Sequence, residues 1–261
     1  MLIGLDFDNT LAHYDSVFAA EARKQCLVSD EWKGTKQELK DKLYSTQGGD
    51  KSWQKIQGQV YGPSMHKAEL FPGVTRFLLR CKLLGHTIFI VSHKTKYGHF
   101  DSTKTLLRQA ALDWMHSRGF FDEDKFSISK NNIFFATTRQ AKIEKINDLN
   151  LDVFVDDLEE VFAEKSFPDI KKILFSKIYK NKYHDIICSN WFNIENSILG
   201  DITNKEIKYI VNSIYKHPIN NIEKMNGRGN SRLYKLSTSK GNIVLKDYPD
   251  LLNDPRKRLV T

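Results

Sequence analysis

Two aspartates one residue apart, Asp6 and Asp8, follow a short apolar run over residues 2–5. The run is typical of a buried strand that releases both carboxylates at its C-terminal end, on one side of the strand. Carboxylates this close repel each other unless a cation lies between them or one is protonated, which suits a hard divalent ion such as Mg²⁺. The alternative is structural, because Asp8, Asn9 and Thr10 are also common capping residues of a helix that follows a strand. From this stretch alone both interpretations stay open.

Polar residues also stand at the ends of two later apolar runs. Ser92 ends one of them, and Asp156 and Asp157 end another. Such runs alternate with helical patterns, which specify a parallel sheet covered by helices on both faces. Ligands of such sheets bind at the C-terminal edge of the strands, so we expect the three polar groups to converge in one crevice. The predicted fold class of residues 1–199 is therefore α/β, with a Rossmann-like parallel sheet.

About sixty residues after the first motif have a polar, helical and weakly amphipathic pattern. This pattern predicts a helical insertion over the strand edge, at about residues 12–70, rather than a second sheet. Four residues within it could contact a substrate or form the insertion's own core: Trp32, Trp53, Tyr61 and His66.

Four separated motifs in this order resemble those of the haloacid-dehalogenase (HAD) superfamily of phosphohydrolases, across residues 1–199. In that family a helical cap is inserted directly after the first motif, where residues 12–70 lie here, and it closes over the substrate and sets substrate choice. The matching motifs are D-x-D-x-T at residues 6–10, the second-motif serine Ser92, the expected third-motif lysine Lys142, and the acidic pair Asp156 and Asp157.

The resemblance implies a role for each acidic residue. Asp6 would attack phosphorus and form an aspartyl-phosphate, and Asp8 would act as general acid and base. Mg²⁺ would be held by Asp6, the backbone carbonyl of Asp8, and Asp156. Asp157 would complete the metal site by orienting waters or Lys142.

The resemblance also implies which residues bind the phosphoryl oxygens. Ser92 and Lys142 would hold them and cancel the negative charge that otherwise repels the attacking carboxylate. Lys145 lies one helical turn after Lys142 and is the alternative lysine. His93 and Lys94 follow the second motif, and they could line the pocket or lie in an exposed loop.

The composition is that of a globular protein from a reducing compartment. The chain has 261 residues, 40% hydrophobic and 28% charged, and its three scattered cysteines suggest no disulfide framework. No signal peptide or membrane-spanning run is visible, so we expect a cytoplasmic location and no membrane partner.

The basic charge is concentrated in the last quarter of the chain. The net charge is +8, but residues 201–261 carry 12 lysines and arginines against 6 acidic residues, and residues 1–200 carry 28 against 26. A nearly neutral first part argues against a large nucleic-acid footprint there, so nucleic acid is an unlikely partner.

Residues 200–261 form a different architecture by pattern: a helix followed by a small antiparallel meander. The meander resembles the nucleotide-binding N-lobe of aminoglycoside-phosphotransferase-like kinases. That resemblance implies ATP as a ligand, with an ordinary hairpin as the alternative interpretation. It implies that a glycine turn covers the ATP phosphates and a strand lysine pairs with them, the residues being Gly227, Gly229, Asn230, Ser231 and Lys246.

The kinase-like segment is expected to be incomplete. Residues 254–256 look like the first turn of a helix at the end of the chain, before the catalytic lobe of such a kinase. We therefore expect no kinase activity, and a separate chain carrying the kinase lobe is a candidate partner.

The leading hypothesis is a Mg²⁺-dependent phosphatase acting on a small phosphorylated metabolite. A second hypothesis is a nucleotide-binding or partner-binding module without turnover, as the first part of a phosphatase/phosphotransferase system. The third, a phosphatase of nucleic-acid ends, predicts steeply salt-dependent binding to oligonucleotides.

Overall fold

The fold is that of a computed structural model, in which residues 1–100, 103–178, 183–215, 217–226 and 231–248 are described. Within those ranges no helix is long and apolar enough to cross a membrane. The three cysteines are free thiols, as the sequence predicts. The kinase-like residues Gly227, Gly229 and Asn230, and residues 254–256, lie outside the described residues.

Strands and helices alternate along most of the chain. The strands are β1 (Leu2–Leu5), β2 (Ala12–His13), β3 (Glu69–Leu70), β4 (Thr87–His93), β5 (Ile133–Ala136), β6 (Val153–Asp156), β7 (Lys171–Phe175), β8 (Ile186–Cys188), β9 (Ile219–Met225), β10 (Arg232–Thr238) and β11 (Gly241–Asp247). The helices are α1 (Asp15–Lys24), α2 (Lys36–Tyr44), α3 (Gly49–Tyr61), α4 (Val74–Leu84), α5 (Leu107–Ser117), α6 (Arg139–Asp148), α7 (Glu159–Phe162), α8 (Trp191–Leu199) and α9 (Asn204–Ile214). Single 3₁₀ turns lie at Met65–Lys67 and Lys130–Asn132.

The contacts divide the chain into two units, of which the first is Met1–Phe71 with His86–Ile187. Its centre is a six-stranded sheet in the order β5-β4-β1-β6-β7-β8, flanked by helices. The pairs β1 with β4, β1 with β6, β4 with β5 and β6 with β7 are all parallel. The predicted α/β class with a parallel sheet is confirmed.

Strand β1 lies in the middle of this sheet because its side chains are apolar on both faces. Ile3 and Leu5 are fully buried. Gly4 between them allows a close approach, since a Cβ there would lie 2.4 Å from Cδ1 of Leu151 and 2.5 Å from Cδ2 of Phe154. The tight packing fixes the position of the strand that leads into Asp6.

The insertion after β1 begins and ends at one place, because β2 and β3 pair in an antiparallel ribbon with Ala12 opposite Leu70. Between them lie α1, α2 and α3, the helices that the polar helical pattern predicts. Their core is aromatic: Phe18 stacks on Trp53 with ring centroids 5.2 Å apart, and Tyr61 meets Phe18 edge-on at 5.7 Å. We call this segment the cap.

The second unit is Pro72–Gly85 with Cys188–Thr261. It contains an antiparallel sheet in the order β11-β10-β9, which is the predicted meander. The likeness to a kinase N-lobe is only loosely supported by this sheet and stays a prediction. The core of the unit is formed by α9 and β10 through Ile207, Val211, Tyr234 and Leu236.

Helix α4 joins the second unit through a buried arginine. Arg80 donates to Oε1 of Glu206 at 2.6 Å and to Oε1 of Glu195 at 2.8 Å, and also to the carbonyl oxygens of Gly200 and Asp201, each at 3.1 Å. The predicted boundary between residues 199 and 200 falls inside this unit, and as a domain boundary it stays a prediction.

Candidate active site

The polar strand ends that the sequence singles out meet at one edge of the six-stranded sheet. Leu5 of β1 lies opposite Val155 of β6, and the backbone N–H of Asp6 donates to the carbonyl of Val155 at 2.8 Å. Ser92 lies near the C-terminal end of β4, and Asp156 is the last residue of β6. Because these strands are parallel, their C-terminal ends share this edge.

The backbone after Asp6 forms a tight turn toward the cap. Asn9 has a left-handed φ of 59°, a conformation that asparagine tolerates better than most residues, and its N–H donates to the carbonyl of Ala12 at 3.0 Å. Thr10 is buried, and its hydroxyl lies 3.5 Å from Oδ2 of Asp6. The segment therefore turns between Asp6 and the start of the cap without forming a helix, and the helix-capping interpretation of Asp8 to Thr10 is wrong.

Lys142 lies between two of the acidic residues. Its Nζ is 2.6 Å from Oδ1 of Asp6 and 2.6 Å from Oδ2 of Asp156, and the side chain is buried. Burial opposes the charged form, but Asp156 and Asp6 raise the pKa of Lys142 above its ordinary value. Lys145 instead lies 3.6 Å from Asp148 at the surface. The structure therefore places Lys142, and not Lys145, among the acidic residues.

Three carboxylates lie together beside this lysine. Oxygens of Asp6, Asp156 and Asp157 are all within 4.8 Å of one another. Burial raises the pKa of Asp6 to about 7, against the opposing effect of Lys142. Burial, with Asp6 and Asp156, also raises the pKa of Asp157 well above its ordinary value. One ammonium group cannot balance two buried carboxylates and a half-buried one, so this oxygen donor set fits a hard divalent cation.

Asp8 has different partners. Its Oδ2 lies 2.8 Å from Nζ of Lys94, and its Oδ1 accepts a short hydrogen bond from the hydroxyl of Tyr14. Lys94 is buried, with its Nζ 5.4 Å from the ring centroid of Phe7 and 5.2 Å from that of Tyr61. The carboxylate of Asp8 does not belong to the group of three carboxylates. Of the atoms of Asp8, the backbone carbonyl oxygen is therefore the one that stays a predicted metal ligand.

Lys94 is the site residue for which sequence reasoning left two interpretations open. A signal was present, because strand alternation places residues 92 and 94 on one side of the chain. The strand hydrogen bonding also continues past β4, since the N–H of Lys94 donates to the carbonyl of Ala136 at 2.9 Å. The exposed-loop interpretation is wrong for Lys94, which is buried, and for His93, which is the exposed last residue of β4 and lies at the wall of the cavity over this edge.

A cavity of about 590 Å³ opens over these groups. Ser92, Asp6 and Lys142 are buried at its wall, and the half-buried Asp8 and Asp157 also line it. The cap supplies a second set of lining residues: Lys36, Gln37, Lys40, Trp53, Gln57 and Tyr61. Of these, sequence reasoning found the two aromatic residues and missed the other four.

Of the kinase-like residues, Ser231 and Lys246 lie in the described part of the chain. Lys246 is on β11, and its Nζ lies 4.8 Å from the ring centroid of Tyr248. The contact between Lys246 and Tyr248 says nothing about ATP binding. The nucleotide-binding role of Ser231 and Lys246 stays a prediction.

The chain is similar in sequence to a protein of Oceanobacillus iheyensis described as a putative nucleotidase. The identity is 24% over 189 residues, which cover 70% of this chain and 90% of the relative. No protein-family model matches the chain.

Solved structures with a similar fold include three with a TM-score of 0.50. A putative phosphatase from Clostridium difficile is 14% identical and covers 76% of this chain and 98% of its own. A HAD family hydrolase from Deinococcus radiodurans R1, solved with bound phosphate and sodium, is 9% identical and covers 76% and 94%. Protein tyrosine kinase A of Mycobacterium tuberculosis is 13% identical and covers 77% and 98%. Identities this low show the fold and not the reaction: the chain has the fold of the HAD-superfamily hydrolases.

Proposed function

We propose that this chain is a Mg²⁺-dependent phosphatase that hydrolyses a small phosphorylated metabolite through a phosphoryl group carried on Asp6. The observation that carries the proposal is the cluster at the sheet edge, where Lys142 bridges Asp6 and Asp156 beside Asp157. Phosphoryl transfer needs positioning and charge neutralisation more than covalent chemistry from the protein, and this cluster supplies both.

In the first half of the reaction, a carboxylate oxygen of Asp6 forms a bond to phosphorus while the bond from phosphorus to the ester oxygen breaks. Asp8 gives a proton to that leaving oxygen, which departs as an alcohol. Lys142 and Ser92 hold phosphoryl oxygens and offset their negative charge as the carboxylate approaches.

In the second half, Asp8 takes a proton from a water molecule that attacks the phosphorus. The bond between phosphorus and the oxygen of Asp6 breaks and inorganic phosphate leaves, so Asp6 is again a carboxylate and Asp8 again carries the proton that it gave up in the first half. The contacts of Asp8 with Lys94 and Tyr14 hold its carboxylate in place beside Asp6 throughout.

Mg²⁺ fits the carboxylates of Asp6, Asp156 and Asp157, with the backbone carbonyl of Asp8 as a further ligand. When bound, the ion supplies positive charge that neutralises the phosphoryl oxygens during transfer. The burial of Asp6 and Asp156 strengthens the interaction of these two carboxylates with a cation.

The test is hydrolysis of p-nitrophenyl phosphate with and without Mg²⁺, followed by a panel of phosphate monoesters. The panel includes nucleoside monophosphates, because the Oceanobacillus relative is described as a nucleotidase. We expect activity that chelation removes and that Asp6→Asn abolishes, whereas Asp124→Asn, at an exposed position, serves as the matched control. Equal turnover, or equal inactivity on the whole panel, in wild type and Asp6→Asn would overturn the proposal.

A further inference from the structure

The cap places a lysine in the cavity above the sheet edge. Lys36 is the first residue of α2, and its Nζ lies 5.7 Å from the ring centroids of both Phe18 and Tyr61. Among the described residues, no carboxylate lies within ion-pair distance of this ammonium group, in contrast to Lys94 and Lys142. Lys36 is therefore a cation of the cavity wall that is held by aromatic rings rather than by an acid.

Lys36 carries its charge at neutral pH. Burial opposes the charged form, but the hydroxyl of Tyr61 and the carboxylates of Asp157 and Asp8 raise the pKa of Lys36 above its ordinary value. The wall of the cavity therefore carries a positive charge before any ligand binds.

The backbone around Lys36 is fixed, so its side chain starts from a defined place. Thr35 caps α2 in a capping box with Glu38, and the N–H of Lys36 donates to Oδ1 of Asp15 at 2.9 Å. The next turn of α2 adds Lys40 to the same wall. Helix α2 thus presents two cations and an amide, that of Gln37, to the cavity.

The phosphoryl group that is transferred already has its own cation. Lys142 contacts Asp6 directly, whereas the carboxylates that influence Lys36 are Asp157 and Asp8. Mg²⁺ and Lys142 are proposed to bind the phosphoryl oxygens. A phosphate monoester with a neutral leaving group therefore does not need the further positive charge that Lys36 and Lys40 of the cap supply.

We propose that Lys36 binds a second anionic group, a carboxylate or a phosphate, carried by the leaving group of the substrate. This inference rests on the proposed function and names its substrate class: phosphate monoesters with a second negative charge. Lys40 assists from the next turn of α2, and Gln57 is placed to donate to the oxygens of the same group.

Binding tests the inference without turnover. The wild-type protein with Mg²⁺ is titrated calorimetrically with two matched pairs, phosphonoacetate against ethylphosphonate and 3-phosphonopropanoate against propylphosphonate. We expect the carboxylate-bearing member of at least one pair to bind on the order of tenfold more tightly. Propane-1,3-bisphosphonate shows whether the second group that is preferred is a carboxylate or a phosphonate.

Three variants test whether the side chain of Lys36 causes the preference for the carboxylate-bearing phosphonate. Lys36→Met keeps the length of the side chain without its charge and is expected to lose the preference, whereas Lys36→Arg keeps most of it. Lys33→Met, at an exposed cap position outside the cavity lining, is the matched control and is expected to keep the wild-type preference. Circular dichroism and thermal unfolding check that each variant is folded.

Turnover gives the second readout. The ratio of kcat/KM for 3-phosphoglycerate to that for glycerol 3-phosphate is expected to fall about tenfold in Lys36→Met and to keep its wild-type value in Lys33→Met. Equal binding within both phosphonate pairs by wild type, or an equal loss for both members in folded Lys36→Met, would overturn the inference. A wild type that discriminates in binding but hydrolyses no ester would instead contradict the proposed function and leave the second-anion site standing.

Discussion

Nζ of Lys94 lies 2.8 Å from Oδ2 and 3.1 Å from Oδ1 of Asp8. The lysine side chain is 2% exposed and the aspartate side chain 19%, so the pair is shielded from water on the lysine side. Tyr14, which lies between β2 and α1 of the cap, donates to the same carboxylate. The residue proposed as general acid and base is thus oriented both by the chain after β4 and by the cap.

Removing the charge of Lys94 tests this orientation. We expect Lys94→Met to lower kcat for p-nitrophenyl phosphate roughly 10- to 100-fold, because general acid–base catalysis depends on the position of the carboxylate. It should also lower the free energy of unfolding by about 1–3 kcal/mol, since Asp8 loses a buried partner. Lys96→Met, two residues on and exposed, is the control for both measurements. A loss of stability with unchanged kcat would assign Lys94 a structural role alone.

A pair of variants on one helix distinguishes the two candidate phosphate lysines. Lys142→Met leaves Asp6 and Asp156 without the ammonium group that bridges them, so kcat should fall about 100-fold or more. Lys145→Met removes a contact with Asp148 and one with the ring of Phe134, both away from the acidic residues, and its kcat should stay within about twofold of wild type. Steady-state kinetics with Mg²⁺ compares the two, and the reverse order of effects would assign the phosphate site to Lys145.

The sequence was sufficient for the strand ends and their order because both depend on local patterns. Apolar runs that end in Asp6, Ser92 and Asp156 are visible in single stretches, and the parallel sheet then brings them to one edge. The choice between Lys142 and Lys145 was harder, since both lie on α6. Only the packing of the helix shows which of the two is buried.

The places of Lys94 and Lys36 in the site could not be predicted from the sequence, because they depend on contacts between distant residues. Lys94 and Asp8 are separated by 86 positions, and Lys36 enters the cavity only through the packing of the cap. Helix α5 begins at Leu107. Leu106 fits the helical spacing but is extended and exposed, which periodicity alone cannot detect.

Mg²⁺ affinity should rise with pH. Burial raises the pKa of Asp6 from 3.8 to about 7. At a pH between these two values the Asp6 carboxyl is protonated in the folded, metal-free protein and ionised in the unfolded chain. The stability that this protonated carboxyl contributes is present below about pH 4 and is lost as the pH rises through about 7. Because Mg²⁺ binds the carboxylate, its dissociation constant should fall with rising pH and level off above about 7.

Calorimetric Mg²⁺ titrations between pH 5 and 8, in buffers of different ionisation enthalpy, measure both the affinity and the protons released. Urea unfolding of the metal-free protein over the same range should show a smaller pH dependence in Asp6→Asn than in wild type. A Mg²⁺ affinity that is constant over this range, with no proton release, would contradict the expected protonation of Asp6.

In the second unit, Arg80→Met should be strongly destabilising. Arg80 is the common partner of Glu195 and Glu206, and all three side chains are buried. Removing the guanidinium leaves the buried carboxylate of Glu206 without its cation, whereas Glu195 keeps an ion pair with Arg76 at 2.9 Å. Breaking a buried pair on one side costs about 3–5 kcal/mol in the free energy of unfolding. Urea unfolding measures the loss, and Lys205→Met, at an exposed position of α9, should stay within about 0.5 kcal/mol of wild type.

The double variant Arg80→Met with Glu206→Gln separates the charge from the packing of the arginine. Glu206 carries its charge in the wild type because, although burial opposes ionisation, hydrogen bonds from Arg80 and Thr203 lower its pKa. Replacing that carboxylate by an amide removes one uncompensated charge, so the double variant should recover part of the stability lost in Arg80→Met. If the two substitutions are simply additive, the loss comes from the packing of the arginine side chain and its bonds to the carbonyls of Gly200 and Asp201.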